Sequence, residues 1–253
     1  MRFLTILLTL AIAGCSVTSY NPTTYPYAID KEGNETKIKR IVIATHNLGK
    51  PSRSYLEKQE AKIDEYVVDY LESNGYTVVN SKLYEDAYQT NVRAFGNPYD
   101  YSTGRIDQQL QMQVIGATIA LLTETDKVDG ILYTDLIERH VTFTVGQKRV
   151  ARWDGVNRGP KVQGASNSIS GDFNWSKLVD AASLGVYLYS LDGQLVFHSI
   201  GGLSLTEAVD TKGTASFKRA RNMFNSQSQI EEGVELAFHP LIVMKNWPGD
   251  AGE

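Results

Sequence analysis

Ile38-Lys39-Arg40-Ile41-Val42-Ile43-Ala44, then Leu56, Ile63, Val67 and Leu71 at near-helical spacing, then Asn74-Gly75-Tyr76-Thr77-Val78-Val79, is the stretch that decides the fold. The first run is rich in β-branched residues and ends before the turn-forming Asn47-Leu48-Gly49, as expected of a buried strand. Pro51 and Ser52 break the chain, and Ser54-x-x-Glu57 has the form of a capping box. Glu, Lys and Asp fill the positions between the apolar ones, so one face of the helix is dry. Asn74-Gly75 stands where a left-handed C-cap belongs, and a short strand follows at once. Parallel strands need such a crossover, so the unit predicts an α/β fold.

Working outward toward the C-terminus, Leu83 to Phe95 reads as a helix and Gly96-Asn97-Pro98-Tyr99 as a turn. A second helix is expected from Arg105 to Thr125, with Ile106, Leu110, Val114, Ala117 and Leu121 on one face. Val128-Asp129-Gly130-Ile131-Leu132-Tyr133-Thr134 returns as a strand. Val141, Phe143 and Val145 alternate with polar residues, as in a half-exposed strand turning at Gly146-Gln147. Asp154 to Asp172 is rich in Gly, Asn and Ser and is expected to be a long surface loop or insertion. The best hairpin signal follows: Leu184, Val186, Leu188 and Ser190 alternate with their neighbours, Asp192-Gly193 turns, and Leu195 to Ile200 runs back. Phe217 to Met223 is basic and reads as a solvated helix face. Ile230, Val234, Leu236, Ala237, Phe238 and Leu241 predict a closing helix that stops near Pro240. The expected architecture is one α/β domain over residues 37–245, with an insertion near 154–172 and a tail from 246 to 253. It has a mixed sheet with crossover helices and a C-terminal β-hairpin followed by the closing helix.

Toward the N-terminus the chain changes character. Met1-Arg2 is a short positive region, and Phe3 to Ile12 is apolar apart from Thr5 and Thr9. This run is too short to span about 30 Å of hydrocarbon as a helix, and it has the length of a secretory leader. Ile12-Ala13-Gly14 then leads into Cys15, the only cysteine. The segment from Leu8 to Ser16 resembles the bacterial lipobox. There, small residues fit the signal peptidase pocket and the Cys thiol is lipidated before cleavage. The resemblance implies a signal peptide over residues 1–14, acylation (palmitate) at Cys15, and attachment to membrane lipid through that residue. Ser16 stands where an Asp would favour retention in the inner membrane, which implies the outer membrane, periplasm-facing, in a Gram-negative cell. Residues 15–36 carry Pro, Thr and Tyr without periodicity and read as a flexible linker. Its length, about 25 Å on average as a coil, would keep the domain near its membrane.

Cleavage before Cys15 would leave 239 of the 253 residues, ample for one substantial core. Loss of Arg2 would move the formal net charge from −4 to −5, and a mildly acidic chain gives no support to nucleic-acid binding. With Cys15 acylated, the monomer has no sulfur left for a disulfide, a thiol nucleophile or a Cys-ligated metal.

The order of elements resembles the α/β domain of several envelope lipoproteins. These are the curli-secretion channel family, the lipoprotein activators of penicillin-binding proteins, and the N-terminal domain of the Tol translocation protein. The matching pieces are Ile41-Val42-Ile43-Ala44, Leu71-x-x-x-Gly75-Tyr76-Thr77-Val78-Val79, Val128-Asp129-Gly130-Ile131-Leu132, and Val186 through Val196. None of these families carries catalytic residues over to this chain. The channel members add long amphipathic hairpins. Here the one candidate, His140 to Trp153, bears Lys148, Arg149 and Arg152 and alternates cleanly only in its first half, so no pore is expected.

Reactive constellations are sparse. His46, His140, His198 and His239 lack metal-ligand spacing, and His140 and His198 read as strand residues, half-exposed or hydrogen-bonded. No metal or cofactor is expected. Gly164-Ala165-Ser166-Asn167-Ser168 lacks the second glycine of a nucleophile elbow, and no phosphate-cradling glycine motif occurs. Asp126, Asp129 and Asp135 crowd around the third strand, where capping and strand-edge solvation compete with acid/base work. Lys218-Arg219-Ala220-Arg221 would suit lipid headgroups or an acidic partner. Trp153, Trp175, Tyr99 and Tyr101 fall in expected loops and are the candidate partner contacts, if they are not packed under those loops. The leading expectation is a non-enzymatic envelope lipoprotein that scaffolds, recruits or regulates an envelope assembly, with an envelope protein or a second copy as partner. The alternative is a lipid-anchored envelope hydrolase using Asp129 and Asp135 beside the 154–172 loop.

Overall fold

The computed structural model describes residues 27–30, 37–44, 54–100, 102–103, 105–126, 128–146, 148–164, 169 and 171–248. The leader, Cys15, most of the linker, His46 and Tyr101 lie outside the described residues. The elements, in order, are β1 (Ala28–Ile29), β2 (Arg40–Ala44), α1 (Ser54–Ser73), β3 (Thr77–Val79), α2 (Ser81–Phe95), β4 (Tyr99–Asp100), β5 (Arg105–Ile106) and α3 (Gln108–Asp126). They continue with β6 (Gly130–Val141), β7 (Ala151–Trp153), β8 (Val156–Arg158), β9 (Val162–Gln163), β10 (Val179–Ser190), β11 (Leu195–Leu205), β12 (Glu207–Asp210), β13 (Ser216–Arg219) and α4 (Gln227–Phe238).

The strand–helix–strand unit forms as its sequence predicts. β2 pairs in parallel with β3, and α1 buries Leu56, Ile63, Val67 and Leu71 between them. Gly75 closes the helix at φ +83°, its N–H donating to Glu72 O while the Tyr76 N–H donates to Leu71 O, both at 3.1 Å. That is a Schellman cap. The main sheet is mixed and six-stranded, in the order β1-β11-β10-β6-β2-β3. The chain steps from β2 outward to β3 and then back past β2 to β6. Right-handed crossovers in opposite directions put their helices on opposite faces. Accordingly α1, joined by α4, covers one face, and the antiparallel pair α2–α3 covers the other. β6 alternates to serve both layers: Leu132 and Leu136 face α1 and α4, while Ile131 and Tyr133 face α2 and α3.

β10 and β11 form the expected antiparallel hairpin, and α4 is the expected closing helix, ending at the His239-Pro240 step. α4 lies against β11 with almost no side chain between them. A Cβ on Gly233 would stand 2.6 Å from Gly202 O, and one on Gly201 would stand 2.0 Å from Gly233 O.

β6 and β10 are each 12 residues long and outrun the helical layers. Their far ends are covered instead by the β7–β8 hairpin, which buries Trp153 against Val141, Val179, Ala181 and Leu205. This corrects the expectation of a long loop from 154 to 172. Asp154 (φ 39°) and Gly155 (φ 85°) make a two-residue hairpin turn, and β9 follows it. Residues 165–168 and 170 of the expected loop lie outside the described residues. The basic segment is likewise no helix face: its Phe217, Lys218 and Arg219 belong to β13, which pairs with β12, and residues 220–223 are irregular. Beyond β6, Phe143 makes one bridge to Ala151, and Val145 is exposed. Residues 140–146 and 148–153 therefore run back along each other, with Val141, Phe143, Ala151 and Trp153 packed inward.

The outer edge of β11 is sealed piecewise. β1 pairs at Phe197 and His198, and the Gly202 N–H donates to Asp154 O at 2.8 Å. Arg158 Nε donates to Leu203 O at 3.0 Å, and Lys161 Nζ to Ser204 Oγ at 2.7 Å and Leu205 O at 3.4 Å. Burial, then the nearby Arg158 cation, pulls the Lys161 ammonium below its usual pKa.

Candidate functional site

The densest convergence of ionisable groups lies where the first turn of α1 meets β6, β10 and β13. Residues two apart on a strand share a face, so Glu138 and His140 both project from β6 toward the α1 side of the sheet. Asp180 is the direct cross-strand partner of His140, which brings its carboxylate to the same place. His140 Nδ1 and Asp180 Oδ1 are 2.8 Å apart, and His140 Nε2 lies 3.8 Å from Glu138 Oε1. The remaining carboxylate oxygens are held from outside. Tyr55 Oη donates to Glu138 Oε2 at 2.5 Å, and Arg219 binds Asp180 Oδ2 at 3.2 Å. Arg219 is itself fixed by Thr206 Oγ1 at 2.7 Å and by the Tyr55 ring, whose centroid is 3.6 Å from the guanidinium carbon.

Electrostatics follow from this crowding. Burial, then the bond to Glu138, pushes the Tyr55 phenol up to about 12, so it stays a donor. Glu207 accepts the Asp180 backbone N–H at 3.0 Å. Its carboxyl is nevertheless raised, chiefly by burial, with the Asp180 and Glu138 carboxylates adding to the shift. The imidazole side chain is 41% exposed, so the cluster opens to solvent at His140.

A second feature is apolar. The α2–α3 pair closes through the β4–β5 hairpin, where a Cβ on Gly96 would stand 3.7 Å from Leu110 Cδ2. At this closed end Phe95, Tyr99, Ile106 and Met112 are exposed, Met112 by 64%. Tyr99 and Ile106 are cross-strand partners, so aromatic and aliphatic surface is displayed together.

The structure separates the other candidates. Trp153 is fully buried in β7, its Nε1–H donating to Ala182 O at 3.3 Å, and it is not a partner contact. The cause is the Asp154-Gly155 turn, which folds its strand onto the sheet ends. Trp175 is half-buried, edge-on to Phe143 at 5.5 Å and Phe173 at 4.8 Å. Tyr99 is exposed as expected, and Tyr101 lies outside the described residues. Asp129 caps the start of β2, accepting the Lys39 and Arg40 N–H groups at 3.1 and 2.8 Å. Asp135 stands six positions along an extended strand, about 20 Å away, so the two carboxylates do not converge as a glycosidase pair would. Asp126 ends α3. Lys218 pairs with Asp210 at 3.4 Å, while Arg221 is exposed. His140 and His198 are strand residues as expected. His198 stacks on Tyr187 with centroids 4.4 Å apart on the opposite face of the sheet, and His239 Nδ1 accepts the Met244 N–H at 3.2 Å.

Sequence reasoning missed Tyr55, Glu138, Asp180 and Glu207, and placed Arg219 on a helix. The one available signal was Glu138-x-His140 within a strand, since that spacing puts both side chains on one face. No protein-family model and no curated protein matches this chain.

Proposed function

We propose that this chain is an envelope lipoprotein, anchored by acylated Cys15 in the outer membrane and facing the periplasm. On this reading it acts without catalysis, as an accessory, scaffold or regulator of an envelope assembly. Anchoring rests on the ordered leader of basic, apolar and small residues ending at Cys15. Among the described residues no helix is long and apolar enough to cross a membrane. The observation that carries recruitment is the exposed apolar end of the α2–α3 pair. Surface aromatics there give large contact area at little entropic cost, which suits a protein partner or a second copy.

The test uses the full chain in cells fed an alkyne fatty acid, with a photo-crosslinking residue placed at Tyr99. Wild type should carry the label and pellet with membranes, and Cys15→Ser should do neither. A defined crosslinked species should form from position 99, and Phe95→Asp with Ile106→Asp should abolish it while the melting temperature holds. Wild-type protein without label in the soluble fraction would refute the anchor. A crosslink that survives both Asp substitutions would refute the recruiting surface.

A further inference from the structure

We propose that Glu138, His140 and Asp180 form a binding site for a divalent transition-metal ion of the zinc class. The inference is independent of how the chain is anchored or what it recruits. One donor atom from each residue lies within 4.8 Å of the other two. A tetrahedral zinc ion with ligands about 2.0–2.2 Å away holds its donors roughly 3.3–3.6 Å apart. An imidazole gives one nitrogen to one ion, and Nδ1 faces Asp180 Oδ1 at 2.8 Å while Nε2 faces Glu138 Oε1 at 3.8 Å, so the imidazole and one carboxylate must turn to set a single nitrogen and both oxygens around the ion.

The backbone builds this arrangement. Glu138 and His140 are alternate residues of one long strand, and Asp180 is fixed opposite His140 by the β6–β10 register. Each carboxylate also has its outer oxygen bound by a neutral phenol or a guanidinium, from Tyr55 and Arg219 respectively. Such outer contacts orient carboxylate ligands and leave the inner oxygen of each on the His140 side. An imidazole nitrogen with two carboxylate oxygens suits zinc and its neighbours better than magnesium or calcium, which prefer oxygen alone. The exposed side of His140 leaves room for water to complete the coordination.

The experiment uses the full-length chain without a polyhistidine tag, stripped with EDTA, dialysed, and titrated with Zn²⁺ against a chromophoric chelator. One Zn²⁺ per chain is expected, and Mg²⁺ in excess should not displace it. His140→Ala and Asp180→Asn should each weaken affinity at least about tenfold, and Tyr55→Phe by roughly 10–100-fold through lost orientation. His198→Ala, on the other face of the sheet, should change nothing. X-ray absorption of the zinc-loaded chain should show a nitrogen/oxygen shell with one imidazole. Metal-free melts establish that the variants are folded; if Asp180→Asn is not, His140→Gln decides. Absence of stoichiometric Zn²⁺ would reduce the site to a hydrogen-bonded polar cluster only. Zinc affinity unmoved by the His140 variants would place the ion elsewhere, and either result overturns the proposal.

Discussion

The same substitution made in two helices should move stability in opposite directions. Gly116 lies on the exposed side of α3, and a Cβ there meets nothing within 4 Å. Gly116→Ala should therefore gain the helix-propensity difference, about 0.8–1 kcal/mol. Gly233 in α4 offers the same gain but meets an obstacle. Its Cβ would stand 2.5 Å from Leu203 Cδ2 and 2.6 Å from Gly202 O, well inside the 3.4 Å at which ordinary contact begins. Leu203 can rotate, but the Gly202 carbonyl cannot, because β11 is held by β10 on one side and by Asp154 on the other. The helix must lift from the strand, and overpacking of this kind costs about 1–3 kcal/mol. Against the propensity gain, the net is a loss of up to roughly 2 kcal/mol for Gly233→Ala. For a domain of this size 1 kcal/mol shifts the melting temperature by about 2–4 °C. Circular dichroism melts should then show Gly233→Ala up to about 8 °C below wild type and Gly116→Ala about 2–4 °C above it. A Gly233→Ala protein that melts above wild type, as Gly116→Ala should, would refute the close approach of α4 to β11.

Val67 is fully buried in α1, so Val67→Asp should cost several kcal/mol by burying an unpaired charge, while exposed Glu72→Ala should change stability by less than about 0.5 kcal/mol; urea midpoints that shift equally would put the apolar face of α1 elsewhere. Burial raises the Asp64 carboxyl from 3.8 to about 6, against the hydrogen bond it accepts from Thr134 at 2.9 Å. The folded state thus holds that proton more tightly than the unfolded chain, and wild-type stability declines as pH rises through the window from 3.8 to about 6. Asp64→Asn should remove this decline, gaining on the order of 1–3 kcal/mol relative to wild type at neutral pH but not below the unfolded pKa. A wild-type-to-variant difference that is the same in urea melts at both pH values would contradict the assignment.

Legibility in the sequence followed the range of the interactions involved. α1 was readable because its apolar spacing, its breaker residues and the Gly75 cap all lie within two dozen residues and agree. The β10–β11 hairpin was readable for the same reason, since Asp192-Gly193 sits between two alternating runs. Asp154-Gly155 carries the same turn signal, but its flanking strands have three residues each, too short to show a period. Trp153 was therefore read as a loop residue when it is the anchor of a covering hairpin. Lys218 and Arg219 look like a helix face by charge, yet their state is set by pairing with β12, which no local pattern reveals. The polar cluster is the extreme case. Tyr55, Glu138, Asp180 and Arg219 span most of the chain, and only the β6–β10 register and the docking of α1 bring them together.

The sealed edge of β11 governs how copies of this domain can associate. Sheets extend from one molecule to the next by offering a row of unsatisfied backbone groups. Along β11 that row is occupied by β1, by a turn carbonyl, and by two cations, of which Arg158 is also neutralised by Glu232 at 2.7 Å. An incoming strand would have to expel all of these and leave the Arg158 guanidinium buried without its acceptors, so lateral polymerisation through this side is blocked. At the opposite margin β3 offers only three residues, Thr77–Val79. Among the described residues, strand addition to the six-stranded sheet is thus confined to this short β3 margin.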